Sequence, residues 1–97
     1  MKFKPPLTDA ALLNMRLRTS LIAALRDGNP HAYEFIVETY FDRAYRIAFA
    51  LAKDKTTVAT VVSLAFQCLW DKRASIPDGA SIQAHLTKYI RDIINAS

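Results

Sequence analysis

The chain holds a single cysteine, Cys68, in 97 residues. This excludes an intramolecular disulfide and any zinc site built from several thiolates, and it suits a reducing compartment. Glycine is nearly as scarce, with Gly28 and Gly79 the only two, so no glycine-rich phosphate cradle can be assembled. Two glycines and four prolines are also too few for a β-rich chain, which turns about every eight to twelve residues. No apolar run reaches the roughly eighteen residues of a membrane span. The start Met1-Lys2-Phe3-Lys4-Pro5-Pro6 lacks the apolar stretch of a signal peptide. The expectation is a soluble, cytoplasmic protein without a membrane partner.

What is present is ordinary globular material, 52% hydrophobic and 23% charged, long enough for one self-supporting core. The formal charge is +4, and its distribution matters more than its sum. Residues 1–29 carry +3, residues 30–54 carry −1, residues 55–73 carry +2, and residues 74–97 are neutral. No charged residue occurs between Thr56 and Trp70.

Helical punctuation divides the chain into four segments. Thr8 or Asp9 is positioned to cap a first helix that runs to about Arg26, with Leu13, Leu17, Leu21 and Leu25 on one face and Asp27-Gly28 as its stop. Asn29-Pro30 starts a second helix reaching about Lys53. Its apolar positions Tyr33, Ile36, Val37, Tyr40, Ala44, Ile47, Ala48 and Leu51 follow helical spacing. A second stripe, Phe41, Tyr45 and Phe49, is expected to widen the buried face and make this the central helix.

The third segment, about Thr56 to Arg73, opens with the β-branched Val58-Ala59-Thr60-Val61-Val62. Length and period favour helix, with Val58, Val62, Ala65, Phe66 and Leu69 inward and Thr60, Ser63 and Gln67 together on another face. Pro77-Asp78-Gly79 marks a turn within Ala74–Ala80. Ser81 then caps a last helix with Ile82, Leu86, Tyr89, Ile90 and Ile93 inward and Lys88, Arg91 and Asp92 outward. The fold expected is all-α, a compact four-helix bundle forming one domain.

The chemistry-bearing side chains do not assemble into a catalytic set. His31 and His85 fall on different helices, without a cysteine or carboxylate at ligand spacing. Cys68 lies among hydrophobic neighbours, where a buried inert thiol is expected. Glu34 and Glu38, four apart, describe a solvated helix face. The expectation is no enzyme, no metal and no cofactor. Aromatic residues interleave with cations at Trp70-Asp71-Lys72-Arg73 and across His85 to Arg91, which approaches the pattern of a nucleic-acid surface.

Several stretches carry a resemblance. Leu25-Arg26-Asp27-Gly28-Asn29-Pro30-His31-Ala32-Tyr33-Glu34 and Tyr40-Phe41-Asp42-Arg43-Ala44-Tyr45-Arg46-Ile47-Ala48 follow one another without a gap in register. Phe66-Gln67-Cys68-Leu69-Trp70 sets a phenylalanine four residues before a tryptophan. Trp70-Asp71-Lys72-Arg73 is followed by Ser81-Ile82-Gln83-Ala84-His85-Leu86. Together these resemble region two of the extracytoplasmic-function sigma factors of bacterial RNA polymerase, in the form common in the Bacteroidetes branch. The resemblance spans about residues 20–95.

It implies a helical domain that docks on the clamp helices of the polymerase β′ subunit, then recognises and opens the minus-ten promoter element. Polymerase contacts would come from the third helix, through Thr60, Ser63, Leu64, Gln67 and Asp71. The loop and the start of the last helix would receive a flipped base of the non-template strand, through Ser75, Asp78, Ser81, His85 and Tyr89. Arg73, Lys88 and Arg91 would serve phosphates. An anti-sigma factor is a further implied partner.

The chain departs from that pattern on the third helix, where Thr57-Val58-Ala59-Thr60 and Val61-Val62-Ser63-Leu64-Ala65-Phe66 carry none of the family's acids and Ser63 stands at its glutamine. It departs again at Asp92, where the family carries asparagine. The sequence stops at Ser97, before any helix-turn-helix that could read a minus-thirty-five element. The competing expectation is a module of the same fold that binds a protein without initiating transcription, as a decoy or a regulator-binding domain, through the neutral third-helix face.

Overall fold

Several helix ends among the described residues are set by local hydrogen bonds. The computed structural model describes residues 20–96; the expected cap at Thr8 or Asp9, with Leu13 and Leu17, lies outside them. Helix α1, residues 20–26, buries Ile22 and Leu25. It stops where Gly28 takes φ +84°. Gly28 N–H then donates to Leu25 O (2.9 Å) and Asn29 N–H to Ala24 O (3.0 Å). These are the paired reverse bonds of a Schellman ending, which needs a residue at ease in the left-handed region.

Helix α2, Pro30–Leu51, is capped by the Asn29 side chain, whose oxygen accepts from His31 N–H (2.9 Å) and Ala32 N–H (3.4 Å). Its far end is closed by Lys55, whose ammonium donates to the carbonyls of Phe49 and Ala52. The helix therefore stops two residues short of the expected Lys53. A 3-10 turn at Lys55–Thr57, capped by Asp54, leads into α3, Val58–Asp71. The β-branched start of α3 is helical, as its period indicated. A second 3-10 turn, Arg73–Ser75, opens the connection to α4, Ile82–Ala96, and Ser81 Oγ caps α4 by accepting from Ala84 N–H (3.1 Å). No strand occurs among the described residues. The all-α bundle expected from the sequence is what forms.

The core sits where α2, α3 and α4 meet, each packing against the other two. Ile36, Ala44 and Ala48 of α2 are buried with Val58, Val62, Ala65, Phe66 and Leu69 of α3 and Leu86, Tyr89 and Ile90 of α4. Ile22 and Leu25 close one side, and Ile76 plugs the α3–α4 connection. Burial of one such aliphatic side chain contributes about 1.5–3 kcal/mol.

One expectation fails. The stripe Phe41, Tyr45 and Phe49 is not part of the buried face; these residues remain 41%, 37% and 47% exposed. The reason is angular. At about 100° per residue they lie roughly 100°, 140° and 180° from the mean direction of Ala32, Ile36, Ala44 and Ala48. The bundle covers one side of α2 only, so two stripes that both satisfy helical spacing divide into one buried and one bare. Leu51, expected inward at the helix end, is 43% exposed, and Cys68 is half-buried rather than enclosed.

Candidate nucleic-acid interface

The α3–α4 connection is held in place by side chains distant in sequence. Arg26, from the last turn of α1, donates through Nη1 to Ile76 O (2.8 Å) and through Nη2 to the Asp78 carboxylate. Arg26 and Asp78 form the one ion pair among the described residues. Ile76 is buried beneath this contact, so the loop is pinned by an apolar plug below and a guanidinium above.

Beside it, Trp70 anchors an aromatic and cationic cluster. The Tyr33 ring meets Trp70 edge-on at 5.0 Å between centroids. Burial, and secondarily the Asp71 carboxylate, push the Tyr33 hydroxyl above its usual pKa. The Arg73 guanidinium stacks 4.2 Å over the Trp70 ring and donates through Nη1 to Trp70 O (2.8 Å). Its Nε is buried without a hydrogen-bond partner, a cost of about 1–3 kcal/mol that the stacking and the carbonyl bond offset.

These contacts sort the expected site residues into three groups. Ser75, Ser81, Lys88 and Arg91 are exposed, while His85 is half-buried. His85 Nδ1 lies 3.0 Å from Ser81 O, and Ser75 Oγ donates to Lys72 O (2.8 Å). Arg73 and Asp78 are engaged inside the protein, in the Trp70 stack and the Arg26 pair respectively. They shape the loop more than they offer free groups. Tyr89 is a correction. It lies on the inward side of α4 and is buried, which raises its pKa, with Cys68 a secondary cause. Its ring is covered by Lys72 Nζ at 5.3 Å and flanked by the His85 ring at 6.2 Å between centroids. It cannot serve as a stacking platform for a base without leaving the core.

Two residues absent from the sequence-based site belong to it. Lys72 brings an exposed cation over the Tyr89 ring. Arg26 positions the loop from fifty residues away. The run Trp70-Asp71-Lys72-Arg73 signals the first; no local pattern signals the second. Lys72, Lys88 and Arg91 make no ion pair among the described residues.

On α3, Thr60, Ser63, Leu64, Gln67 and Asp71 are all exposed, and Gln67 Nε2 donates to Asp71 Oδ1 (3.0 Å). This face is neutral over its first three turns. At its start, Thr60, Val61 and Leu64 line a groove of about 750 Å³ together with Leu51, Ile93 and Ile94. Among the described residues no histidine, cysteine or carboxylate cluster could hold a metal ion, and no helix is long and apolar enough to cross a membrane. Comparisons with protein-family models, curated proteins and solved structures return no match.

Proposed function

We propose that this domain is a divergent sigma region-two module, which engages RNA polymerase through the outer face of α3 and single-stranded promoter DNA through the α3–α4 loop and α4. The observation that carries the reading is the pinned loop. Arg26 holds Ile76 and Asp78 in place, while Lys72 stays exposed before the loop and Lys88 and Arg91 along α4. A loop fixed before binding loses little entropy when it accepts an extruded base, and extrusion itself costs a few kcal/mol that pocket contacts must offset. The exposed cations supply sequence-independent phosphate contacts. Pairing with Arg26 also neutralises Asp78, which would otherwise repel the strand.

The test is fluorescence anisotropy with a labelled single-stranded oligonucleotide carrying a minus-ten-type sequence, titrated with the domain bound to core polymerase. Lys88→Ala and Arg91→Ala should each weaken binding uniformly across sequences and reduce the salt slope by about one. An unchanged salt slope in both variants would remove these residues from the interface.

A second reading, a protein-binding module without initiation activity, is favoured by the neutral α3 face and its groove. Leu64 stands 47% exposed there. Under that reading Leu64→Glu abolishes partner binding while oligonucleotide affinity stays at the level of nonspecific association.

A further inference from the structure

The bare side of α2 carries a patterned surface that neither reading uses. Phe35, Phe41, Tyr45 and Phe49 are 56%, 41%, 37% and 47% exposed. At about 200 Å² per aromatic residue this leaves roughly 360 Å² of largely apolar surface, comparable to the largest patch of an ordinary monomer, which is often functional. Charge is ordered along the same face. Glu34, Glu38 and Asp42 occupy its first half, Arg46 lies in its second, and Lys53 follows two residues past the helix end. None of these five makes an ion pair among the described residues. A shallow cleft of about 330 Å³ lies at the midpoint, lined by Phe41, Asp42, Tyr45 and Arg46.

A helix face that is acidic at one end, basic at the other and aromatic along its length is self-complementary when a second copy runs antiparallel. We infer that α2 is the contact of a two-fold symmetric dimer of this chain, with the dyad crossing the bare stripe midway between Phe41 and Tyr45. Around that axis Phe41 packs on Tyr45 of the second copy on one side. Asp42 faces Arg46 of the second copy on the other, and the two-fold axis repeats both pairs. Arg43 is turned away from the contact, donating to Gln83 Oε1 on α4 (2.6 Å). The two aromatic patches together contribute about 700 Å², so the contact is a small one of the weak, concentration-dependent class below about 1,200 Å². The interface is isologous, so each pair is made twice and each lesion is felt twice. It lies on α2, apart from the α3 face and the α3–α4 loop, and does not depend on the function proposed for them.

The experiment is sedimentation velocity on the full chain over a wide concentration range, with Asp42→Arg and Arg46→Asp as separate variants. The wild type should show a concentration-dependent dimer. Each single variant places like charges across the dyad and should be monomeric, with unchanged helical circular dichroism. Mixing the two variants restores opposite charges at both positions and should recover a heterodimer. Tyr45→Glu, at a position already exposed, should abolish association in any mixture. A wild-type chain that stays monomeric overturns the inference. So does a dimer that survives Tyr45→Glu, or two single variants that fail to rescue one another.

Discussion

Replacing Arg26 with alanine removes two restraints on the α3–α4 loop at once, and the structure separates their magnitudes. The bond to Ile76 O is part-buried and 2.8 Å long, so losing a charged donor there costs about 1.5–3 kcal/mol. The pair with Asp78 is more exposed, with side-chain accessibilities of 29% and 65%, and such pairs contribute about 0.2–1 kcal/mol. Arg26→Ala should therefore destabilise by about 2–4 kcal/mol, whereas Asp78→Ala should cost less than about 1 kcal/mol. For a domain of this size that corresponds to a Tm drop of roughly 8–30 °C for the first and a few degrees for the second. Urea unfolding followed by circular dichroism reads both, and a double-mutant cycle isolates the pair. Equal losses from Arg26→Ala and Asp78→Ala would refute the reasoning, because the ion pair rather than the carbonyl bond would then pin the loop. Amide exchange at Ile76 and Ala80 should quicken in Arg26→Ala before global unfolding does.

Gly28→Ala forces a β-carbon into φ +84° and should cost about 1–2 kcal/mol in thermal unfolding, although the space beside Arg73 is ordinary contact distance. Leu69→Ala empties a fully buried site between the helices and should cost about 2–5 kcal/mol by chemical denaturation. The Asp54 carboxylate accepts from Thr56 Oγ1 (2.7 Å) and Thr56 N–H (3.0 Å), which lowers its pKa. Its contribution is present above the ordinary carboxylate range near pH 4 and is lost as pH falls through the lowered value. The stability difference between wild type and Asp54→Ala should accordingly be constant near neutrality and shrink in acid.

Much of the fold is written locally. Asn29-Pro30, Gly28 and Ser81 state their helix ends because a side-chain oxygen, a fixed ring or a missing β-carbon acts within a few residues. The faces Val58-Val62-Phe66-Leu69 and Ile82-Leu86-Ile90 are legible because burial follows the helical period. The α2 stripe is not, since Ala44-Ala48 and Tyr45-Phe49 have the same spacing and only the position of α3 and α4 decides which is covered. Alanines went inward and aromatics outward, against hydrophobic ranking, because the side of α2 that meets both neighbours carries the small residues.

The candidate site divides in the same way. Lys88 and Arg91 are outward by period and exposed in the structure. Tyr89 satisfies both an inward period and an aromatic-cation pattern, and packing resolves it inward. Arg26 could not be assigned to the loop from its neighbours, because its partners lie fifty and fifty-two residues away. A charge at a helix end has many uses, and topology alone selects this one.

The direct test of a sigma-like role is association with purified bacterial core RNA polymerase, measured by surface plasmon resonance with the polymerase immobilised. The account predicts saturable binding that Ser63→Arg, on the exposed face of α3, abolishes without lowering Tm, and that Tyr45→Glu on α2 leaves intact. Absence of saturable binding by the folded wild-type domain, or binding indifferent to Ser63→Arg, would contradict it.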